Sequence, residues 1–228
     1  MKKFLIIFFL TFFAVSKVYA LIIIDTFPAV DTTAHSLGEG DGAQTFGQTF
    51  TVPIGNTFFN SFSVRTKPFI PRTAGPSNFD FHVMKWDETE RHALGDSLYT
   101  SFNTEVPISQ DSFMEYIFNP NISLESAGKY VALLSVSNYF DGIPNALEFE
   151  FVNHQDAYSE GAFLFLVNGN DFSKVKTEAW DNFFVPDDLG FRATFSPEPE
   201  PTEAVPEPAT MFLFGSGLLG AFLRRKIG

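Results

Sequence analysis

The sequence predicts an all-β fold, an antiparallel sandwich of two sheets of the jelly-roll type. Thirty of the 228 residues are phenylalanine. Within short segments the apolar residues recur at every second position, the repeat that places alternate side chains on one face of a strand. Turn-forming residues cluster between these segments, as at 53–56, 75–78 and 168–171. Since no window has the apolar periodicity and caps of an amphipathic helix, strands are expected throughout the domain.

Nine segments carry the strand pattern. Strands with one apolar and one polar face are predicted at 46–52, 58–64, 79–86, 113–118, 147–151 and 190–195, and 21–24 is predicted to be a first strand. Segments 130–136 and 162–167 are apolar on both faces, so we expect them in central, doubly covered positions. The residues predicted to be buried are Phe50, Phe62, Phe81, Val131 and Phe191.

Asp80 and His82 share one face of the segment 79–86. The pattern favours the solvated face of an edge strand, and the alternative is a pair of metal ligands. The four histidines have none of the spacing of metal ligands on a helix. The Gly-Ser-Gly triplet lies in the C-terminal apolar stretch, which is no place for a catalytic serine. The sequence therefore predicts no catalytic residues and no enzyme activity.

Residues 1–20 have the three regions of a secretory signal peptide. Lys2 and Lys3 precede an apolar segment, 4–15, and small residues lead to a predicted cleavage after Ala20. Cleavage is favoured because the apolar segment is short for a membrane-spanning helix. The alternative is an uncleaved anchor, lengthened by the aliphatic residues 21–24.

The C-terminal residues form a second membrane-directed segment. A Pro- and Glu-rich linker, 197–204, separates the predicted sandwich domain, 21–196, from the residues that follow, which are Val205, Pro206, Glu207 and Pro208. The apolar stretch 209–223 comes next and leads directly into Arg224, Arg225 and Lys226. We expect 209–223 to form a short transmembrane helix with the basic residues on the cytoplasmic side. At about 1.5 Å per residue it reaches roughly 22 Å, against roughly 30 Å of hydrocarbon, which suits a temporary anchor.

This order of parts resembles the PEP-CTERM sorting tail. The triplet Pro206-Glu207-Pro208, a glycine-containing apolar segment and a terminal basic cluster carry the resemblance over residues 205–228. It implies recognition by an exosortase, cleavage near the triplet, and delivery to the surface or extracellular matrix of a bacterium that makes exopolysaccharide. The alternative is a plain C-terminal membrane anchor. Segments 79–86 and 128–133 also resemble, loosely, lectin-like and carbohydrate-binding sandwich domains.

Charge and cysteine content exclude several classes of protein. The chain has a formal charge of −12, and the two terminal segments hold six of its 15 basic residues, so the region between them is still more acidic. Phosphate backbones would repel such a surface, which excludes nucleic acid as a partner. There are no cysteines. An exported domain without disulfides must be stabilised by its core.

Two kinds of binding site are predicted in the loops. Glu39 and Asp41 lie in an acidic, glycine-flanked loop that suits a calcium ion, and 187–188 and 168–171 are further oxygen-rich loops; the alternative is ordinary turns. Trp86 and Trp180 are candidate stacking platforms for a sugar, as are the tyrosines at strand ends, Tyr139 among them. The alternative is a core tryptophan beneath a long loop.

The sequence thus favours a non-catalytic, exosortase-processed component of the cell surface or matrix that contacts exopolysaccharide. The alternative is a surface adhesin that binds another protein through a sheet edge. A secreted enzyme acting on glycans ranks third. Beyond a calcium ion, no cofactor is expected.

Overall fold

The computed structural model describes residues 20–39, 42–69, 73–182 and 187–197, which belong to one unit, Ala20–Pro199. These residues form two antiparallel sheets, and their only helices are two short 3-10 segments, Phe27–Ala29 and Phe172–Lys176. The prediction of an all-β, two-sheet fold is therefore confirmed.

The strands are, in chain order, β1 (Ile22–Asp25), β2 (Thr32–Glu39), β3 (Thr45–Thr51), β4 (Phe58–Pro68), β5 (Ser77–Asp87), β6 (His92–Val106), β7 (Met114–Phe118), β8 (Ile122–Ser123), β9 (Lys129–Ser135), β10 (Asn145–Val152), β11 (Phe163–Leu166), β12 (Asp188–Leu189) and β13 (Phe191–Ser196). In the larger sheet β4 pairs with β7, β8, β10 and β13. This sheet is completed by β1 beside β13 and by β2 and β12 beside β10. The smaller sheet has the order β11-β3-β9-β5-β6.

A phenylalanine-rich core fills the space between the two sheets. Its rings come from both sheets, as in the stacked pairs Phe81–Phe118, with centroids 4.2 Å apart, and Phe62–Phe81, at 5.3 Å. All five residues predicted to be buried are inaccessible to solvent. The period-two pattern therefore identified the inward faces of the four phenylalanines correctly, whereas Val131 is buried on the opposite face of the smaller sheet.

A second apolar cluster covers the opposite face of the smaller sheet. On β9, Val131 and Leu133 belong to this cluster, while their neighbours point into the phenylalanine core. The chain after β11 folds back over this face and inserts Trp180 beside Trp86. Gly47 provides the room, because a Cβ there would lie 2.7 Å from the Trp180 ring.

Two strand predictions are wrong, and two long strands were not predicted. The strand β5 is internal, between β9 and β6, so Asp80 and His82 are buried and do not form a solvated edge. The strand β11 was expected at the centre but lies at an edge, where the returning chain covers it. The 15-residue strand β6 has no regular apolar alternation and was not predicted, and neither was β2.

The two terminal segments lie outside the described residues. These segments are residues 1–19 of the predicted signal peptide and the tail, which comprises Val205, Pro206, Glu207, Pro208, the stretch 209–223 and Arg224, Arg225 and Lys226. Within the part of the chain that the structure describes, no helix is long and apolar enough to cross a membrane.

Candidate functional site

A cleft of about 210 Å³ opens at one rim of the sandwich. It lies where β5 begins and where the loop 136–144 joins β9 to β10. The lining residues are Pro76, Asn78, Asn138, Tyr139, Phe140, Asp141 and Asn145. The wall thus combines aromatic rings with three side-chain amides, and no basic residue lines it among the residues that the structure describes.

The buried side chain of Asp80 holds the cleft wall in place by hydrogen bonds. Its side chain is inaccessible to solvent, and its two oxygens accept three hydrogen bonds. The Asn138 amide donates to Oδ2 at 2.8 Å, the Asn103 backbone N–H donates to Oδ1 at 3.0 Å, and the Tyr139 hydroxyl also donates to Oδ1. A buried carboxylate is tolerated when hydrogen bonds replace its hydration. Asp80 is therefore a structural acceptor that orients two residues of the cleft.

The Tyr139 phenol stays protonated in this arrangement. Burial, and next the hydrogen bond to Asp80, raise the pKa of Tyr139 to about 12. The Asn103 backbone N–H also donates to the phenol oxygen at 2.7 Å. Because the hydroxyl is engaged on the protein side, the ring of Tyr139 is the part that remains for a ligand.

Glu39 holds the other side of the cleft. Its carboxylate accepts the backbone N–H groups of Asp141 and Gly142, both at 3.0 Å, and its own N–H donates to Asn145 Oδ1 at 3.3 Å. Asp41, the second predicted calcium ligand, lies outside the described residues. Among the residues that are described, no three acidic, histidine or cysteine side chains are grouped as a metal site would require. Calcium binding at Glu39 and Asp41 stays a prediction.

One polar atom of the cleft lacks a partner. The side-chain oxygen of Asn78 is buried and accepts no hydrogen bond from the described residues. Leaving a buried polar group without a partner costs about 1–3 kcal/mol, but solvent does not reach this oxygen, so a ligand can donate a hydrogen bond to it only after the Asn78 side chain turns toward the cleft. A hydroxyl group can then be the donor.

Neither tryptophan is a sugar platform in this structure. Trp180 is fully buried and Trp86 is 6% exposed, and the two rings pack edge to face with centroids 5.6 Å apart. The Trp180 indole N–H donates to the Val175 carbonyl at 3.1 Å. The prediction of exposed platforms at these positions is wrong, because the returning chain after β11 covers both rings. Of the aromatic candidates, Tyr139 is the one that lines the cleft.

The other oxygen-rich loops serve the fold. Asp188 accepts the Tyr158 backbone N–H at 2.9 Å and the Gln48 amide at 2.8 Å. Burial raises the pKa of Asp188 to about 6. Asn168 is likewise engaged, since its amide donates to Ser137 Oγ at 2.7 Å and its oxygen accepts from Thr45 at 2.9 Å. These residues position the loops that precede and follow β11.

Comparison with known proteins identifies the C-terminal segment. The chain carries a PEP-CTERM protein-sorting motif at residues 204–226, which confirms the resemblance drawn from the sequence. The motif implies export and a final location at the surface or outside the cell. No curated protein matches the chain.

The sandwich is similar to several solved structures. One contains the cysteine protease and lectin-like domains of Cwp84, a surface layer associated protein of Clostridium difficile, with 9% identity and a TM-score of 0.42 over 67% of this chain and 31% of that one. A CBM4 structure shows 10% identity and a TM-score of 0.35, over 57% of this chain and 82% of that one. The CBM22-1 xylan-binding domain of Paenibacillus barcinonensis Xyn10C shows 9% identity and a TM-score of 0.31, over 66% and 97%. The chain thus spans about a third of the length of the Cwp84 structure.

Proposed function

We propose that this chain is a non-catalytic component of the bacterial surface or extracellular matrix, and that its sandwich domain binds an uncharged sugar of an exopolysaccharide in the rim cleft. The sorting motif at residues 204–226 carries the proposal, because it implies export and a location at or outside the cell surface, where an exopolysaccharide would be within reach. An exosortase is the implied processing enzyme, and the membrane is a temporary partner during sorting.

The chemistry of the cleft supports a sugar as the ligand. Side-chain amides offer both donors and acceptors, as a sugar hydroxyl requires. Aromatic rings offer the apolar surface on which a sugar ring stacks. In the cleft Asn78 and Asn138 supply the amides, and Tyr139 and Phe140 supply the rings. At about 210 Å³ the cleft is smaller than the roughly 300–1,000 Å³ of most small-molecule sites, so it suits a single sugar unit.

The charges around the cleft favour an uncharged sugar. Asp141 lines the cleft, and within the described part of the chain no lysine or arginine lines it that could pair with a carboxylate of the ligand. The whole chain is also strongly acidic. A polymer of uronic acids would therefore be repelled by the domain.

The binding test uses the full-length chain in mild detergent on an array of neutral and acidic glycans. We expect binding to neutral glycans, and a weakening of about two- to tenfold in Asn78→Ala, which removes an amide from the cleft. Asn56→Ala is the matched control, because Asn56 also has a buried side-chain oxygen without a partner but lies outside the cleft. Failure to bind any glycan on the array would refute the proposal.

The destination is tested separately by intact mass of the protein at the cell surface. We expect a mature chain that begins near Leu21 and ends close to Pro206-Glu207-Pro208. A surface form that still carries Arg224, Arg225 and Lys226 would contradict exosortase processing and favour a plain anchor.

An adhesin is the second candidate function, and the edge of the smaller sheet favours it. The strand β6 pairs only with β5 among the described residues, so its outer backbone groups are open to another strand. Leu98 on this strand is 45% exposed. If the chain binds no glycan on the array but, when immobilised, retains a protein from the same bacterial surface, the adhesin function replaces sugar binding.

A further inference from the structure

We propose that Phe102 forms a second sugar subsite beside the cleft, so that the domain takes a polysaccharide chain of at least two neutral units. This inference rests on the proposed function and deepens it by specifying the length of the ligand. Three observations support it: a β-bulge in β6, the buried carboxylate of Asp80, and the exposed ring of Phe102.

The bulge lies at the point where β6 passes the cleft. In the pairing of β5 with β6, Phe79 lies opposite Thr104 and Phe81 lies opposite Ser101. Phe102 and Asn103 therefore both lie opposite the single residue Asp80. A bulge of this kind bends the strand and redirects a side chain, and such bulges are common beside binding sites.

Asp80 connects the bulge to the cleft. The Asn103 backbone N–H donates to Asp80 Oδ1 and also lies 2.7 Å from the phenol oxygen of Tyr139. Asn103 adopts a left-handed conformation, with φ of 57°, which asparagine tolerates better than most residues. Phe102 thus precedes, by one peptide bond, a group that is bonded to the cleft wall. The same buried carboxylate orients Asn138 and Tyr139 in the cleft and fixes the backbone that presents Phe102.

The ring of Phe102 is both exposed and supported. It is 69% exposed, and it is the one aromatic ring among the exposed large hydrophobic side chains of the described residues. Behind it lies the buried ring of His82, at 90° with centroids 6.2 Å apart. His82 is itself fixed by Ser97 and Thr100, within 3.1 Å of its Nδ1, and by stacking on Phe172 at 4.5 Å. The contact with His82 restricts the Phe102 ring on one side, which reduces the conformational freedom that it loses when a sugar stacks on the other side.

The arrangement assigns separate roles to the two parts of the site. The cleft, with its side-chain amides, holds one sugar by hydrogen bonds. Phe102, outside the cleft, stacks on a neighbouring unit of the same chain. The cleft alone therefore sets the affinity for a monosaccharide, and both parts set the affinity for the polymer.

The test is affinity electrophoresis of the full-length chain, in mild detergent, through gels that contain dextran, xylan, galactomannan or hydroxyethylcellulose. For each polymer that retards the protein, the corresponding monosaccharide is then added as a competitor. We expect Phe102→Ala to weaken polymer binding about three- to tenfold and to leave monosaccharide competition unchanged. Phe102→Tyr, which keeps a ring, is expected to bind like the wild type. Phe140→Ala, within the cleft, is expected to weaken both.

Ile54→Ala is the matched control, since this side chain is 82% exposed and lies in the turn after β3. Polymer binding of Phe102→Ala equal to that of the wild type would overturn the second subsite and leave the cleft intact. Equal losses for polymer and monosaccharide would also overturn it, because Phe102 would then belong to the cleft. A wild-type chain that no polymer retards would overturn both this inference and the proposed sugar binding.

Discussion

Replacing Asp80 tests whether this buried carboxylate is the anchor of the site. Asp80→Ala leaves the Asn138 amide and the Tyr139 hydroxyl without their acceptor, and it leaves the Asn103 N–H with the Tyr139 oxygen alone. Hydrogen bonds to charged groups contribute about 1.5–3 kcal/mol each, but the part-exposed donors regain some water. We therefore expect the free energy of unfolding to fall by about 2–5 kcal/mol, as measured by urea denaturation.

Asp80→Asn is the discriminating variant. It keeps an acceptor for Asn103 and Tyr139 but places an NH₂ group against the amide of Asn138. The expected loss is about 1–2 kcal/mol, smaller than for alanine. In Asp80→Ala the pKa of Tyr139 should fall below its wild-type value of about 12. It should stay above the ordinary value of 10.0, because burial is the largest cause of the shift and remains in the variant. Asp96→Asn, on exposed β6, is the control. A loss below about 0.5 kcal/mol in Asp80→Ala, usual for surface positions, would refute the reasoning.

Four further outcomes are expected. Gly47→Val should lower the free energy of unfolding by about 1–3 kcal/mol, because its side chain would overlap the buried Trp180 ring; unchanged urea denaturation would contradict this packing. Phe62→Ala should cost about 3–5 kcal/mol by the same assay, since the ring is fully buried, and a loss under 1 kcal/mol would contradict the core assignment. Burial raises the pKa of Asp188 to about 6, so the stability that its protonated form contributes is full below about pH 4 and is lost as the pH rises through 6. Burial lowers the pKa of His82 to about 4, so the stability that its neutral form contributes is full above about pH 6.5 and is lost as the pH falls to 4. Between pH 7 and 4 the free energy of unfolding should therefore fall more in Asp188→Asn, and less in His82→Phe, than in the wild type. Profiles identical to that of the wild type would exclude both pKa shifts. Millimolar calcium should raise the melting temperature more than magnesium if Glu39 and Asp41 bind it, and equal shifts would indicate charge screening alone.

The strands facing the core could be predicted because their pattern is local. In β3 and β13, for example, phenylalanines alternate with small or polar residues, and alternation alone places Phe50 and Phe191 inward. The strand β6 could not be predicted, because its sequence lacks such a local pattern. As an edge strand it is exposed over much of its length, and its bulges at Asp80 and near Met84 break the period of two.

The site could not be predicted because its contacts join residues distant in the sequence. Asp80 lies 58 and 59 residues before Asn138 and Tyr139, and nothing in segment 79–86 shows that these donors will cover it. The face of a strand is solvated or buried according to what packs on it, so an Asp-x-His pattern is consistent with either outcome. The prediction that the two tryptophans are exposed was wrong for the same reason, since Trp180 covers Trp86 only after the chain returns across the smaller sheet.

The burial of Asp80 also bears on what the site is for. A buried charge is weak evidence for stability, because an apolar residue of similar size often stabilises a core as well or better. Here the carboxylate has no ion pair with a lysine or an arginine in the described residues; its hydrogen-bond partners are Asn138 and Tyr139, both in the cleft, and the bulge that carries Phe102. A group whose hydrogen bonds all converge on one rim positions that rim. If so, Asp80→Asn should weaken glycan binding by more than its loss of stability explains, since binding measured well below the melting temperature reports on the shape of the site and not on the folded fraction.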